Sequence, residues 1–382
     1  MPWIFLIPVF AALISAPAHA ALPSDCVQSN YPTRVIPACT EILSQDPHNV
    51  IAYFKRGKAY LDYRTDTRDL PLAIADLTKA IEIDAKYANA YNLRGIALRR
   101  NGDLARAIAD QSTAIEINPA FASAYNSRGF VYRQQRDYDR ALRDYNKAIE
   151  LDPGYALAYL NRAFTQDIKD DPNRAIADLK QAIKLGGREF DYVFFSLEPT
   201  EHNHVATLLT KAIERDARDA VAYYIRGLTS AAIDEQERAI ADYNKAIELD
   251  PVYIDAYVAR GRAYSSERYD DARALADYSK AIELDPKNAR AYRARGSFYL
   301  DQVSDHGDRA LPDYNKAIEL DPGDSEAYLQ RGLLYALNDQ HALAKADFAK
   351  VLDIEWRLSA AITALYPNYV DEIEAERQTK PQ

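Results

Sequence analysis

Along most of the chain, large apolar residues, glycines and alanines fall in two short helical stripes that return at a nearly constant interval. One stripe runs Tyr125, Gly129 and Tyr132, a spacing that places all three on one face of a helix. The next runs Ala141, Tyr145 and Ala148 and stops at Asp152 and Pro153, because proline disfavours helical geometry in the residue before it. Pro71 and Pro172 stand just ahead of the second stripe in other units, where a first-turn proline sacrifices no helical hydrogen bond. The pattern predicts helix, turn, helix. Tyr91 to Tyr125, Tyr125 to Tyr159 and Tyr223 to Tyr257 are each 34 residues apart. The interval widens to 38 from Tyr53 to Tyr91, to 35 from Tyr257 to Tyr292 and to 36 from Tyr292 to Tyr328, and turns can absorb the difference.

An aromatic residue, a glycine, a second aromatic, then alanine, aromatic, alanine and proline over 34 residues resembles the tetratricopeptide repeat. Units begin at Val50, Ala88, Ala122, Ala156, Ala220, Ile254, Ala289 and Ser325, so the resemblance covers most of the chain. It implies an all-α fold, a right-handed superhelical solenoid of antiparallel helix pairs. It also implies a protein-binding scaffold that holds a protein or peptide in a concave groove lined by the first helix of each unit. On this frame residues 21–49 form a partial N-terminal repeat, 50–185 and 220–357 hold four repeats each, and 358–382 form a capping helix and tail. Between the two sets, 186–219 is a degenerate unit with Phe190 to Phe195 in place of its first helix, where the array is expected to kink.

All eight units carry arginine where the family pattern has leucine, and all eight carry aspartate just before the aromatic position of the second helix. The pairs include Arg94 with Asp110, Arg128 with Asp144, Arg226 with Asp242 and Arg260 with Asp277. In the two degenerate units both members vanish together, as Tyr192 with Leu208 and Leu22 with Ala38. Joint presence and joint loss point to an ion pair between packed helices, in which the planar guanidinium bonds a carboxylate at two points. A basic ladder for an acidic ligand is the alternative.

The two cysteines, Cys26 and Cys39, take mutually facing core positions of the partial repeat on this frame. A disulfide capping the end of the array is expected, with two buried free thiols as the alternative in a reducing compartment.

The candidate groove residues are those of the first helices turned away from the aromatic and glycine face: Asn89, Asn92, Arg99, Arg100, Asn126, Phe130, Arg133, Leu160, Phe164 and Tyr224. Asparagine can bond both groups of an extended backbone and arginine suits a carboxylate, so a short acidic and apolar segment is the implied ligand. Asn92 and Asn126 are expected to stand outside the repeat core. An ordinary solvated face is the plainer alternative. The Lys, Asn and Arg set with which some tetratricopeptide domains clamp a dicarboxylate is not reproduced in any three successive units.

Composition narrows the partner. A net charge of −10 repels nucleic-acid phosphates and anionic lipid headgroups. Residues 1–20 read as an export leader, with an uncharged apolar run from Trp3 to Ala16 and the small-x-small end Ala18, His19, Ala20; an uncleaved anchor is the alternative. The mature chain is therefore expected in the periplasm or cell envelope, with no membrane insertion of its own. No catalytic residues, cofactor or metal are expected, because the sequence has no phosphate-binding loop, nucleophile elbow or Cys-His pair, and the His202 and His204 spacing is a weak metal signal. Self-assembly through the ends or convex face is the rival to partner binding.

Overall fold

The computed structural model describes residues 25–28, 32–62, 69–186, 199–266, 270–301 and 307–355, with positions 358, 362, 366, 369, 370, 372 and 373 beyond them. Residues 1–20, expected to be a leader, and Phe190 to Phe195 lie outside the described residues. Among those described, every regular element is helical, and they divide into two compact units on either side of residue 196.

The N-terminal unit holds α1 (Asp25–Gln28), α2 (Pro32–Gln45), α3 (Val50–Asp62), α4 (Leu70–Ile83), α5 (Ala88–Arg100), α6 (Leu104–Ile117), α7 (Ala122–Gln134), α8 (Tyr138–Leu151), α9 (Ala156–Ile168) and α10 (Pro172–Leu185). The C-terminal unit holds α11 (Pro199–Arg215), α12 (Ala220–Ala232), α13 (Gln236–Leu249), α14 (Ile254–Ser265), α15 (Asp271–Leu284), α16 (Ala289–Asp301), α17 (Ala310–Leu320), α18 (Ser325–Leu337) and α19 (His341–Ile354). First helices begin at the eight residues with which the sequence frame opens its units. Each packs on the second helix of its own repeat and then on the second helix of the repeat before it. Within each unit the first helices also touch one another, so they form the inner layer.

Local chemistry sets where each helix starts and stops. Several second helices open on a capping aspartate: Asp103, Asp137 and Asp270 accept the backbone N–H of Arg106, Arg140 and Arg273, satisfying a donor that the helix itself leaves unpaired. Those N–H groups, backbone first and then side chain, hold the Asp103 carboxyl below its ordinary range. First helices end in a left-handed residue at one repeat position, with φ from 57° to 86° at Gly102, Arg136, Asp170, Asp234 and Asp339. The next N–H then reaches back five residues, as from Asp103 to Leu98 at 2.9 Å and from Asp137 to Tyr132 at 2.9 Å. Repeat-to-repeat turns are closed by Asp84, Asp152 and Asp321, whose side chains accept the N–H two residues on.

Burial explains the periodic glycine. A Cβ on Gly129 would come within 2.8 Å of the Tyr145 ring, and one on Gly227 within 2.5 Å of the Tyr243 ring. Only a bare backbone lets these rings pack at 0% and 1% exposure. Alanines at the two core positions of the second helices, such as Ala107 and Ala114 or Ala141 and Ala148, are fully buried, which lets the helices approach closely.

The N-terminal end is closed covalently. Cys26 of α1 and Cys39 of α2 form a disulfide, both fully buried with Val35, Ala38, Leu43, Ala52 and Ala59. Linking positions 13 residues apart stabilises the fold by roughly 3 kcal/mol in the chain-entropy model, which matters where, among the described residues, the array has a neighbour on one side only. The folded protein is expected to show no reactive thiol until reduced, and reduction should lower hydrogen-exchange protection in α1 and α2 before α3. Two thiols reacting in the native, unreduced protein would contradict the bridge.

Candidate protein-binding site

Before any first-helix side chain can serve a partner, those spent on holding repeats together have to be set aside. Each of the eight repeat arginines donates from Nε and Nη2 to the two oxygens of its aspartate, at 2.6–2.8 Å. The partners are Asp76, Asp110, Asp144, Asp178, Asp242, Asp277, Asp313 and Asp347 for Arg56, Arg94, Arg128, Arg162, Arg226, Arg260, Arg295 and Arg331. The arginine side chains are 16–23% exposed and the aspartates 6–11%, so the pairs are largely withdrawn from water. Donating hydrogen bonds to Asp110 and Asp144 raises the pKa of Arg94 and Arg128 further above its already high value.

In seven of these repeats a third bond ties the arginine to the repeat before. The remaining Nη1 donates to Thr40, Thr78, Ser112, Asn146, Thr210, Asn244 and Asn315 from Arg56, Arg94, Arg128, Arg162, Arg226, Arg260 and Arg331. Each acceptor lies on the preceding second helix, two residues after the aspartate position. A tyrosine of the same first helix adds its ring, with the guanidinium carbon 5.4–5.9 Å from the centroid in all eight repeats. One side chain thus clasps three helices.

Of the expected groove residues, Asn89 and Arg100 are exposed, while Arg99, Phe130 and Arg133 are partly exposed. The expectation for Asn92 and Asn126 needs correction. They are 5% and 8% exposed, because this position of the first helix is covered from the following repeat. Asn126 donates to the Tyr155 hydroxyl at 3.3 Å and accepts from Asn161 at 3.0 Å, so it joins repeats. Leu160, Phe164 and Tyr224 are likewise buried, at 2%, 8% and 9%. Tyr224 packs on Tyr253, with ring centroids 4.9 Å apart. The expected apolar stretch is therefore mostly repeat core and not open surface.

What remains accessible is basic. Arg99 and Arg133 each hold their guanidinium carbon 4.7 Å from the centroid of the Phe130 ring, and Arg133 also lies 5.7 Å from that of Phe164. Burial, with Arg100 and Arg133 as like-charged neighbours, pushes the Arg99 pKa down to about 10. Arg100 donates to the Leu61 carbonyl at 2.9 Å, across the gap to α3. In the C-terminal unit Arg290 is exposed, and Arg293 faces Asp324 at 2.8 Å. Among the described residues no group of three or more His, Cys, Asp and Glu side chains is placed to hold a metal, and no helix is long and apolar enough to cross a membrane. His202 is buried in α11 at 1% exposure.

Family models agree with this architecture. Models described as tetratricopeptide repeat match residues 122–155 and residues 77–109, 144–177 and 313–346, and one described as TPR repeat matches 231–267 and 268–303. Together they span just over half of the chain, and the protein belongs to the tetratricopeptide-repeat family. It is similar to the crystal structure of MamA at 30% identity, over 40% of this chain and 88% of that one, with a TM-score of 0.36. It is also similar to YrrB, described as a TPR protein with an unusual peptide-binding site, at 22% identity over 57% and 97%, with a TM-score of 0.27. A third similarity is to the APC/C hetero-tetramer Cut9-Hcn1, at 17% identity over 78% and 58%, with a TM-score of 0.34. Comparison with curated protein sequences gives no match.

The clasp makes a quantitative expectation. Arg128→Leu strands the Asp144 carboxylate in a largely dry site and should destabilise the fold by on the order of 3 kcal/mol. Arg128→Leu with Asp144→Leu should recover much of that loss, because no uncompensated charge remains. Denaturant midpoints of the two single variants and the double variant decide it. A double variant as unstable as the sum of the singles would rule out a mutually dependent pair.

Proposed function

We propose that the protein is a binding scaffold of the cell envelope or periplasm, and that the inner face built by the first helices of the N-terminal unit holds a peptide or a segment of a partner protein. One observation carries this reading. Eight first-helix arginines are each bound to a carboxylate, whereas Arg99 and Arg133 stand on the inner face with their charge turned to aromatic rings. A fold that neutralises nearly every semi-buried guanidinium has left two on one face. Positive charge there, on a chain of net charge −10, also orients an acidic partner as it arrives.

The leader-like residues 1–20 support export, and the bridge between Cys26 and Cys39 suits an oxidising compartment. Family membership favours a holder of proteins over a catalyst.

Photo-crosslinking residues placed at Ser123 and Leu157 on the inner face, and at Lys147 on the second-helix surface, test the reading in cells. Adducts with a partner from the first two positions, lost on Arg100→Glu with Arg133→Glu, are expected. Adducts only from Lys147 would move binding to the outer surface. Adducts only between copies of this chain would favour self-assembly.

A further inference from the structure

The inner face of α5 and α7 carries unmet polar demand in two layers. In the outer layer Arg99 and Arg133 share the ring of Phe130, each with its guanidinium carbon 4.7 Å from the centroid, so the two carbons are no further apart than twice that distance. Neither has a hydrogen bond or ion pair with any described residue. In the inner layer lies Gln111, at the second-helix position that Tyr145 fills in the next repeat. It is fully buried, and neither its amide nitrogen nor its amide oxygen is hydrogen-bonded within the protein. Its side chain presses on α5 at Gly95, where a Cβ would lie 2.9 Å from the Gln111 Cγ. Gly95 and Arg99 are one turn apart, so the amide sits on the stripe of α5 that ends at Arg99. Asn92, three residues before Gly95 on that stripe, is also buried with its Oδ1 unbonded.

Both layers disfavour the empty protein. Cations withdrawn from water beside like charges are destabilised, and buried amide groups without partners forfeit their hydrogen bonds with water. Among the described residues no carboxylate pairs with Arg99, whose charged neighbours are Arg100 and Arg133. A planar anion that enters between the arginines relieves the first penalty by accepting from two guanidinium groups at once. We infer that Arg99 and Arg133, seated on Phe130, are the receiving site for an acidic side-chain carboxylate of an extended partner segment. The inference rests on the inner-face reading given above and names the chemistry of its ligand. The apolar anchor expected from Leu160 and Phe164 drops out, because both are buried. Recognition is led by charge, and binding should weaken steeply with salt.

The test uses the full chain with its disulfide intact and two probes: an eight-residue peptide of alternating glutamate and glycine, amidated at its C-terminus, and the same peptide with glutamine for glutamate. Calorimetry at low salt should detect the glutamate peptide at millimolar affinity or better. Binding should fall at least tenfold with the glutamine peptide, with Arg99→Gln and with Arg133→Gln. Arg99→Met is the informative companion. It removes an uncompensated cation, so it should abolish peptide binding while raising the thermal midpoint, whereas a structural arginine would lower it.

Equal binding of the two peptides, no binding of either, or a lowered midpoint in Arg99→Met would overturn the assignment. Competition by inorganic phosphate at equal concentration would do so too, since it makes the site a general anion site. If crosslinking still places a partner on the inner face while the glutamate peptide ignores Arg99 and Arg133, the scaffold reading stands and the carboxylate site falls. If inner-face crosslinks are missing as well, both fall.

Discussion

Everything in this molecule that repeats is held by one side chain, the arginine one residue before the glycine position of each first helix. It spends two donors on the aspartate of its own second helix, a third on the preceding second helix in seven repeats, and its face on a tyrosine of its own helix. A pair withdrawn from water contributes less net stability than its geometry suggests, because both ions are stripped of hydration. Its larger effect is on register. A leucine at this position would tolerate rotation of the first helix, whereas a planar fork bonded at both prongs does not. Nearest-neighbour coupling is the general condition of solenoid stability, and here it runs through polar bonds as much as through packed alanines and tyrosines.

That economy gives the exceptions their meaning. Arg99 and Arg133 lie on first helices whose repeat arginines, Arg94 and Arg128, each bond an aspartate at two points and the preceding second helix at a third. Gln111 interrupts a position that is otherwise aromatic or leucine. Both departures fall in adjacent repeats of the N-terminal unit, where local stability is given up and a ligand can restore it. Binding sites in folded proteins are commonly found where local consistency fails.

Much of the fold is legible in the sequence because the two stripes have strict spacing and the turns carry proline or aspartate at fixed offsets. The starts at Val50 through Ser325 need no tertiary information. The aspartate that meets each arginine is legible for a different reason, namely that both disappear together at Tyr192 with Leu208 and at Leu22 with Ala38. The third partner was equally available and was missed: two residues after each aspartate position stands Thr, Ser or Asn, except Lys180 ahead of the unit that lacks the arginine and Ala349 in the last repeat. The groove was the least legible part. Whether a first-helix residue is covered depends on how closely the following repeat packs, which periodicity within one repeat does not encode. The sequence pattern puts Asn126, Leu160 and Phe164 on the surface for that reason, and nothing within one repeat signals the aromatic seat of Arg99.

The arginine clasp, if it holds the array together, couples each repeat to the next. Native-state hydrogen exchange of the chain with Arg162→Leu and Asp178→Leu together measures this, since it removes the whole clasp between α8, α9 and α10 without leaving a stranded charge. Helices α9 and α10 are predicted to open at markedly lower free energy than α5 to α8, splitting a barrier that the unaltered protein shares across them. If α5 to α10 still exchange through one common opening, the repeats are coupled by apolar packing alone and the clasp does not hold the array together.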